Sequence, residues 1–461
     1  MTRASGTGDA PARLPALPVA VWALTRTLLL LCVFRVLTFP GPDVTSDVSV
    51  IYRGWYEVLR TGTFPLDDIT WQYPPAAALA VLSPGLLPFL DYPAAFFVLV
   101  LLADALVTGL LLYAGRRPGK RQAGAWVWIA GLALLGPTSY ARYDVMVAGV
   151  AVAALLAGAR RPRLMGALAA LGAMLKVWPA LLLAGTARGR TTRSSWTAFV
   201  CTAAGLALLF AASMPGAFAF LTFQRDRGTE VESLGATVFH VARHFGWEGE
   251  VLLNYGSLEF LGPYVPLVST LAMVLTALAF GWLLVWRLRA RVFTASTVCD
   301  AAFTAVLLFT VTSRVISPQY MLWLVALAAA CLVFRGSRMD RAAYLVLAAT
   351  LFTCLEFPVW FAHVVAGDAL GLVPLFVRNA LLVAATVVAC RTLWRHTVRT
   401  PAGAPGPLPA QRHLPSPGGP AGGAARAPGP PAATAGGARG GGPPPPPAPP
   451  PPPPPPPETP P

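Results

Sequence analysis

The stretch DVTSDVSVIYRGWYEVLRTGTFPLDDITWQYPP, residues 43–75, decides how the rest of the chain is read. It follows an apolar run and gathers acids, aromatics, Arg53, Arg60 and a Pro74-Pro75 break between hydrophobic segments. Ionisable residues at a membrane face cost free energy unless they pair or function, so such a segment marks a site. It reads as the catalytic loop of a membrane enzyme.

The composition around this loop supports that setting. The chain has 461 residues, is 55% hydrophobic and only 12% charged, and has a mean hydropathy of +0.60. These values exclude a soluble globule and predict an all-α polytopic integral membrane protein. The net charge of +15 sits in short basic clusters between apolar runs, a distribution that serves membrane orientation and predicts no nucleic-acid partner. Cys32, Cys201, Cys299, Cys331, Cys354 and Cys390 lie in or beside apolar segments without ligand spacing, so neither disulfides nor a zinc site is indicated. Residues 1–17 read as a cytoplasmic N-terminus before a retained first span.

Spans of about 20 apolar residues are predicted near 18–39, 92–114, 123–137, 142–158, 195–213, 264–286, 297–313, 319–334, 342–357 and 373–392. Residues 76–90 are assigned to a juxtamembrane helix, because a full span there would put Arg116, Arg117, Lys120 and Arg121 outside. LMGALAALGAMLKVWPALLLAG is too short to cross twice, so two half-helices meeting at Lys176-Val177-Trp178-Pro179 are expected. The total is about twelve membrane segments with cytoplasmic termini, spanning 18–399 and leaving outer loops at 40–91 and 214–263. The Pro, Gly and Ala-rich residues 400–461 are expected to form a disordered cytoplasmic tail.

The acids were not used to place these spans, yet most of them fall on the outer side. Several cations join them there without help from the orientation rule: Arg53, Arg60, Arg142, Lys176, Arg225, Arg227, Arg243, Arg314 and Arg378. An anionic ligand, such as a lipid phosphate, explains them. Pairing with neighbouring carboxylates explains each one singly as well.

Four outer-side motifs recur in order: Asp47 with Tyr52, WQYPP at 71–75, FQRDRGTEVES at 223–233 and SRVISPQY at 313–320. Together with the Lys-x-Trp-Pro hairpin, this pattern resembles the C superfamily of glycosyltransferases, most closely glycosyltransferase family 87, over roughly residues 18–395. The resemblance implies a membrane fold with juxtamembrane helices in its first outer loop. It also implies transfer of a hexose, such as mannose, from a polyprenyl-phosphate donor to a lipid-linked or cell-envelope glycan acceptor outside the cell membrane. An arabinosyltransferase of the same fold is the alternative within the family. A transporter or flippase is the alternative outside it, although only Asp104 lies deep in a span and the outer motifs do not repeat.

Such a transfer needs one base near the acceptor and cations on the departing phosphate. In this superfamily the first-loop acid supplies the base, which implies Asp47. Asp43 is its nearest rival, separated only by spacing to Tyr52. Lys176, Arg225, Arg227 and Arg314 are candidates for the donor phosphate. Tyr52, Tyr73, Glu230, Glu232, Gln319 and Tyr320 are candidates for sugar and acceptor. Arg227 and Glu230 also have the spacing of an ion-paired surface helix, and SRVISPQY suits a turn that caps two spans. Asp67 and Asp68 suit solvation or capping, and His240 and His244 rank behind Asp47 as bases. No compact DxD triplet is present, so neither metal nor cofactor is expected.

Overall fold

The computed structural model describes residues 15–398 apart from residues 159 and 226. The expected tail at 400–461 and most of the N-terminal segment lie outside the described residues. The chain is mostly helical. Helix α1, Ala16–Val33, ends short of the expected residue 39 because the Val36 and Leu37 amides turn back to the Leu31 carbonyl and Arg35 takes a left-handed φ of 59°. A widened turn at Asp47–Tyr52 leads into α2, Arg53–Leu59, and α3, Ala77–Leu82, continues through a tight turn to Leu86. Then come α4 Tyr92–Gly115, α5 Ala123–Leu135 and α6 Asp144–Gly158. A tight turn at Gly136–Ser139 shortens the spans expected at 123–137 and 142–158.

Helix α7, Pro162–Leu175, stops where Lys176 becomes extended, and a tight 3₁₀ run, Trp178–Gly185, follows with Pro179 near its start. The break falls at the expected half-helix junction, where the proline ring suits a helix start and not a helix interior. After α8, Arg190–Ser213, and α9, Phe220–Arg225, the loop expected at 214–263 corrects the all-α expectation. Strands β1 Thr229–Glu230, β2 Glu250–Asn254 and β3 Ser257–Leu261 form an antiparallel sheet in the order β1-β3-β2, with α10, Ala236–Ala242, between the first two. Tyr255 and Gly256, with φ of 47° and 77°, make the two-residue connection whose positive φ values match strand twist.

The remaining helices are α11 Val265–Arg289, α12 Thr297–Thr312, α13 Tyr320–Val333, α14 Asp340–Cys354, α15 Phe361–Ala366 and α16 Ala369–Thr397. The Asp368 carboxylate caps α16 by accepting from the Leu370 and Gly371 amides. Among the described residues, six helices are long and apolar enough to cross a membrane: α1, α4, α8, α11, α14 with its continuation to Val359, and α16. Every residue of α13 from Met321 to Val333 is buried, as befits a helix that is apolar all round and sits at the centre of the bundle. At Gly124, a Cβ would lie 2.4 Å from the Ala329 carbonyl oxygen, so the glycine is what allows α5 to approach α13 so closely.

Candidate active site

The ends of several of these elements enclose a cavity of about 420 Å³. It brings together Asp47 and Tyr52 from the widened turn, Tyr73 from WQYPP, Lys176 from the helix break, Arg227 from the loop between α9 and β1, Arg314 and Gln319 from the turn before α13, and Tyr320 at the start of α13. The four separated motifs therefore meet in one place. Glu230 stands behind the wall, buried, and accepts a hydrogen bond from Ser317 Oγ at 2.8 Å. The Arg225 side chain lies outside the described residues.

Asp47 Oδ2 is 2.7 Å from Arg142 Nη2, and its side chain keeps 31% of its surface exposed. Arg142, at the tight end of the α5–α6 connection, also donates to the Ala141 carbonyl at 2.9 Å. Asp43 has a different setting: it pairs with Arg35 and accepts from the Thr45 amide and hydroxyl, away from this cavity. Partial burial raises the Asp43 pKa, but the Thr45 hydrogen bonds and the Arg35 charge outweigh it and hold the carboxyl below its ordinary value. Asp68 accepts from the Thr70 amide and from Trp55 Nε1, both at 2.8 Å, so it folds the loop, while Asp67 is exposed.

Lys176 Nζ lies 2.7 and 2.9 Å from the two carboxylate oxygens of Asp144, at the first turn of α6. The rings of Tyr73, Tyr143 and Trp323 surround the ammonium at 5.2, 5.0 and 5.3 Å. Trp323 Nε1 donates to Asp144 Oδ1 at 2.5 Å. Trp323 also stacks on Tyr320, with ring centroids 3.8 Å apart, and on Trp178, at 5.6 Å, forming an aromatic floor.

Across the cavity, Arg227 Nη2 donates to Ser257 Oγ at 2.6 Å, and Arg227 Nε lies 3.4 Å from Glu259 Oε1. The fully buried Glu259 also accepts from the Gly228 amide at 2.9 Å and from Asn254 at 3.2 Å, so the β2–β3 hairpin positions Arg227. The alternative of an ion-paired surface helix is overturned: Glu230 lies in β1, and its amide donates to the Arg314 carbonyl at 3.0 Å. Burial pushes the Glu230 carboxyl above its ordinary value, opposed by Arg227 and the Ser317 hydrogen bond.

Glu232 does not line the cavity. Its carbonyl accepts from Arg378, which is 2.7 Å from Glu356, and burial together with the like charge of Glu356 raises the Glu232 carboxyl far above its ordinary value. His240 is also buried, with Nε2 2.8 Å from the Val231 carbonyl oxygen, and burial pushes its pKa down to about 4. Neither residue reaches the cavity.

Sequence reasoning missed the roles of Asp144, Glu259 and Trp323. Asp144 left a signal, an acid opening an otherwise apolar span. Glu259 left none, because its partner Arg227 is 32 residues away and only the hairpin joins them. Among the described residues, no three His, Cys, Asp or Glu side chains group as metal ligands. The arrangement sets a partly open carboxylate beside an aromatic floor, with guanidinium groups on another wall. That geometry can take a proton from a hydroxyl while holding an anionic group nearby.

A family model for glycosyltransferase family 87 matches residues 71–318, more than half of the chain. Among solved structures, the crystal structure of ArnT from Cupriavidus metallidurans bound to undecaprenyl phosphate is similar at 14% identity and a TM-score of 0.39, over 81% of this chain and 76% of that one. No curated protein matches the chain.

Proposed function

The chain belongs to glycosyltransferase family 87, and from that premise we propose that it transfers a hexose, mannose, from a polyprenyl-phosphate donor to a lipid-linked or cell-envelope glycan acceptor. The observation that carries this reading is the meeting of Asp47, Lys176, Arg227, Arg314 and Tyr320 around one cavity. Asp47 precedes the segment matched by the family model, so its role rests on this geometry.

In the proposed reaction the acceptor hydroxyl oxygen attacks the anomeric carbon, and Asp47 takes the hydroxyl proton. The bond from the anomeric carbon to the phosphate oxygen breaks on the opposite face and its electron pair leaves with the phosphate, so the configuration inverts. Arg227 and Arg314 stabilise the departing anion, each charge-assisted contact contributing roughly 1.5–3 kcal/mol. Lys176 adds its charge at the cavity edge, two of its three N–H groups being occupied by Asp144. Tyr320 and Trp323 offer ring faces to the sugar, and Gln319 and Tyr73 offer hydrogen bonds. The arginine clusters at 116–121, 188–193 and 287–291, read as cytoplasmic by the orientation rule in a chain of about twelve membrane segments, support an outer-face location for this cavity.

The reading is tested by incubating membranes that contain the protein with radiolabelled polyprenyl-phosphate-mannose. Label appearing in a lipid-linked product, and absent when Asp47→Asn is used, is the expected result. Transfer only from a nucleotide sugar, or none from any polyprenyl-phosphate sugar, overturns it.

A further inference from the structure

A second cavity, of about 680 Å³, lies far from the site described above. It opens where α7 and α8 begin and is lined by Arg163, Arg190, Arg193, Ser194 and Thr197. Helix α7 starts at this cavity and ends beside Lys176, so its 14 residues set the two sites about 20 Å apart at 1.5 Å per residue. Positions 190, 193, 194 and 197 share one face of α8 by helical spacing. Arg163 reaches the same space from α7. The two backbones touch there: a Cβ on Gly166 would meet the Ser195 carbonyl oxygen at 2.0 Å.

Three other basic residues of the chain are committed elsewhere. Arg188 donates to the Arg287 and Leu288 carbonyls at 2.6 and 2.8 Å, Arg287 donates to Thr192 at 2.9 Å, and Arg121 pairs with Asp340 at 2.6 Å. The side chains of Arg163, Arg190 and Arg193 have no hydrogen-bond or ion-pair partner among the described residues, and no carboxylate lines the cavity. Membrane orientation needs arginines at this end, but it does not need them to converge from two helices on one cavity beside two hydroxyls. Three guanidinium groups and two hydroxyls are the donor set that a phosphate oxyanion takes. Helix α8 otherwise presents an apolar, mostly exposed surface with Trp196 at the same level, which suits acyl chains and an interfacial ring.

We propose that this cavity binds a phosphate-bearing anion, the phosphodiester headgroup of an anionic phospholipid, at the membrane face opposite the transfer site. The test uses the full chain purified in neutral detergent, with retained phosphatidylglycerol and phosphatidylcholine counted by native mass spectrometry. The wild type is expected to retain phosphatidylglycerol in preference, and R163Q/R190Q/R193Q to bind it on the order of tenfold more weakly or worse. R391Q/R395Q, which removes the same kind of charge from the end of α16, is expected to bind as the wild type does. Should the triple variant fail to insert, Arg163→Gln and Arg193→Gln singly are expected to weaken binding several-fold. Equal retention of the two lipids, or wild-type retention in these variants, overturns the proposal. Saturable binding of inorganic phosphate by the wild type without any preference for phosphatidylglycerol overturns the lipid assignment.

Discussion

Two neighbouring ion pairs stand at the same cavity and differ in one respect. Asp47 pairs with Arg142 and keeps 31% of its side-chain surface exposed, whereas Asp144 pairs with Lys176 and is fully buried. In the first pair the acid faces the cavity and the base is behind it. In the second the order is reversed, with Lys176 on the cavity wall and Asp144 sealed under Trp323. The same two chemistries, placed in opposite order, give one acid that can meet a substrate proton and one that can only hold its partner in place. An open carboxylate is suited to turnover, while a sealed one contributes to shape.

The comparison breaks most decisively at the open pair. Asp47→Asn keeps size and some hydrogen bonding but removes the proton acceptor, and loss of general-base assistance lowers transfer by about 10²–10⁴-fold. Asp43→Asn, which loosens the Arg35 and Thr45 contacts outside the cavity, leaves the rate within a few-fold. Transfer rates from matched membrane preparations check both. Wild-type turnover in Asp47→Asn, or a collapse confined to Asp43→Asn, would give the base to the other acid.

The sealed pair sharpens the comparison through stability. Asp144→Asn leaves the Lys176 ammonium buried without its counter-charge, and breaking one side of a buried pair costs about 3–5 kcal/mol. A lowered thermal midpoint in detergent is the readout. Asp144→Asn/Lys176→Met removes both charges and recovers much of that loss, yet transfers poorly because a cation at the donor phosphate is gone. Full activity in the double variant would make Lys176 a structural residue alone.

How much of this was legible beforehand follows from the kind of interaction involved. The helices could be read because a bilayer demands long apolar runs, and the break at Lys176 could be read because Pro179 forbids a continuous helix. Arg227 and Arg314 stood out because the orientation rule did not require them. Pairings between distant segments were hidden: Asp144 meets Lys176 across 32 residues, and Asp47 meets Arg142 only when the widened turn after α1 and the α5–α6 connection come together. The sheet was hidden too, since its strands are short and its signal is confined to the Tyr255-Gly256 turn. Periodicity reports which face of an element is buried, but not which element covers it.

The smallest of these effects concerns a second sealed group, on α10 between strands β1 and β2. His240 has no exposed surface, its Nε2 is held at the Val231 carbonyl, and Nδ1 has no partner among the described residues. A proton added at Nδ1 would be buried near Arg243 and His244 as well, so burial, helped by those charges, depresses the folded pKa to about 4 from an ordinary 6.5. Between these two values the unfolded chain binds a proton that the folded chain refuses. The stability from the neutral ring is therefore complete above about pH 6.5 and falls away as pH drops toward 4. The difference amounts to about 3 kcal/mol. Glu230 and Glu232, whose carboxyl values are raised, respond to acid in the opposite sense, so the wild type alone does not isolate the histidine. His240→Gln does, because its amide still donates to Val231 and does not titrate. Thermal midpoints of wild type and variant, measured in detergent from pH 7 to pH 4.5, should converge as pH falls, with the wild type losing more. Parallel curves would mean that the histidine is protonated in the fold and that this wall of the loop is open to water.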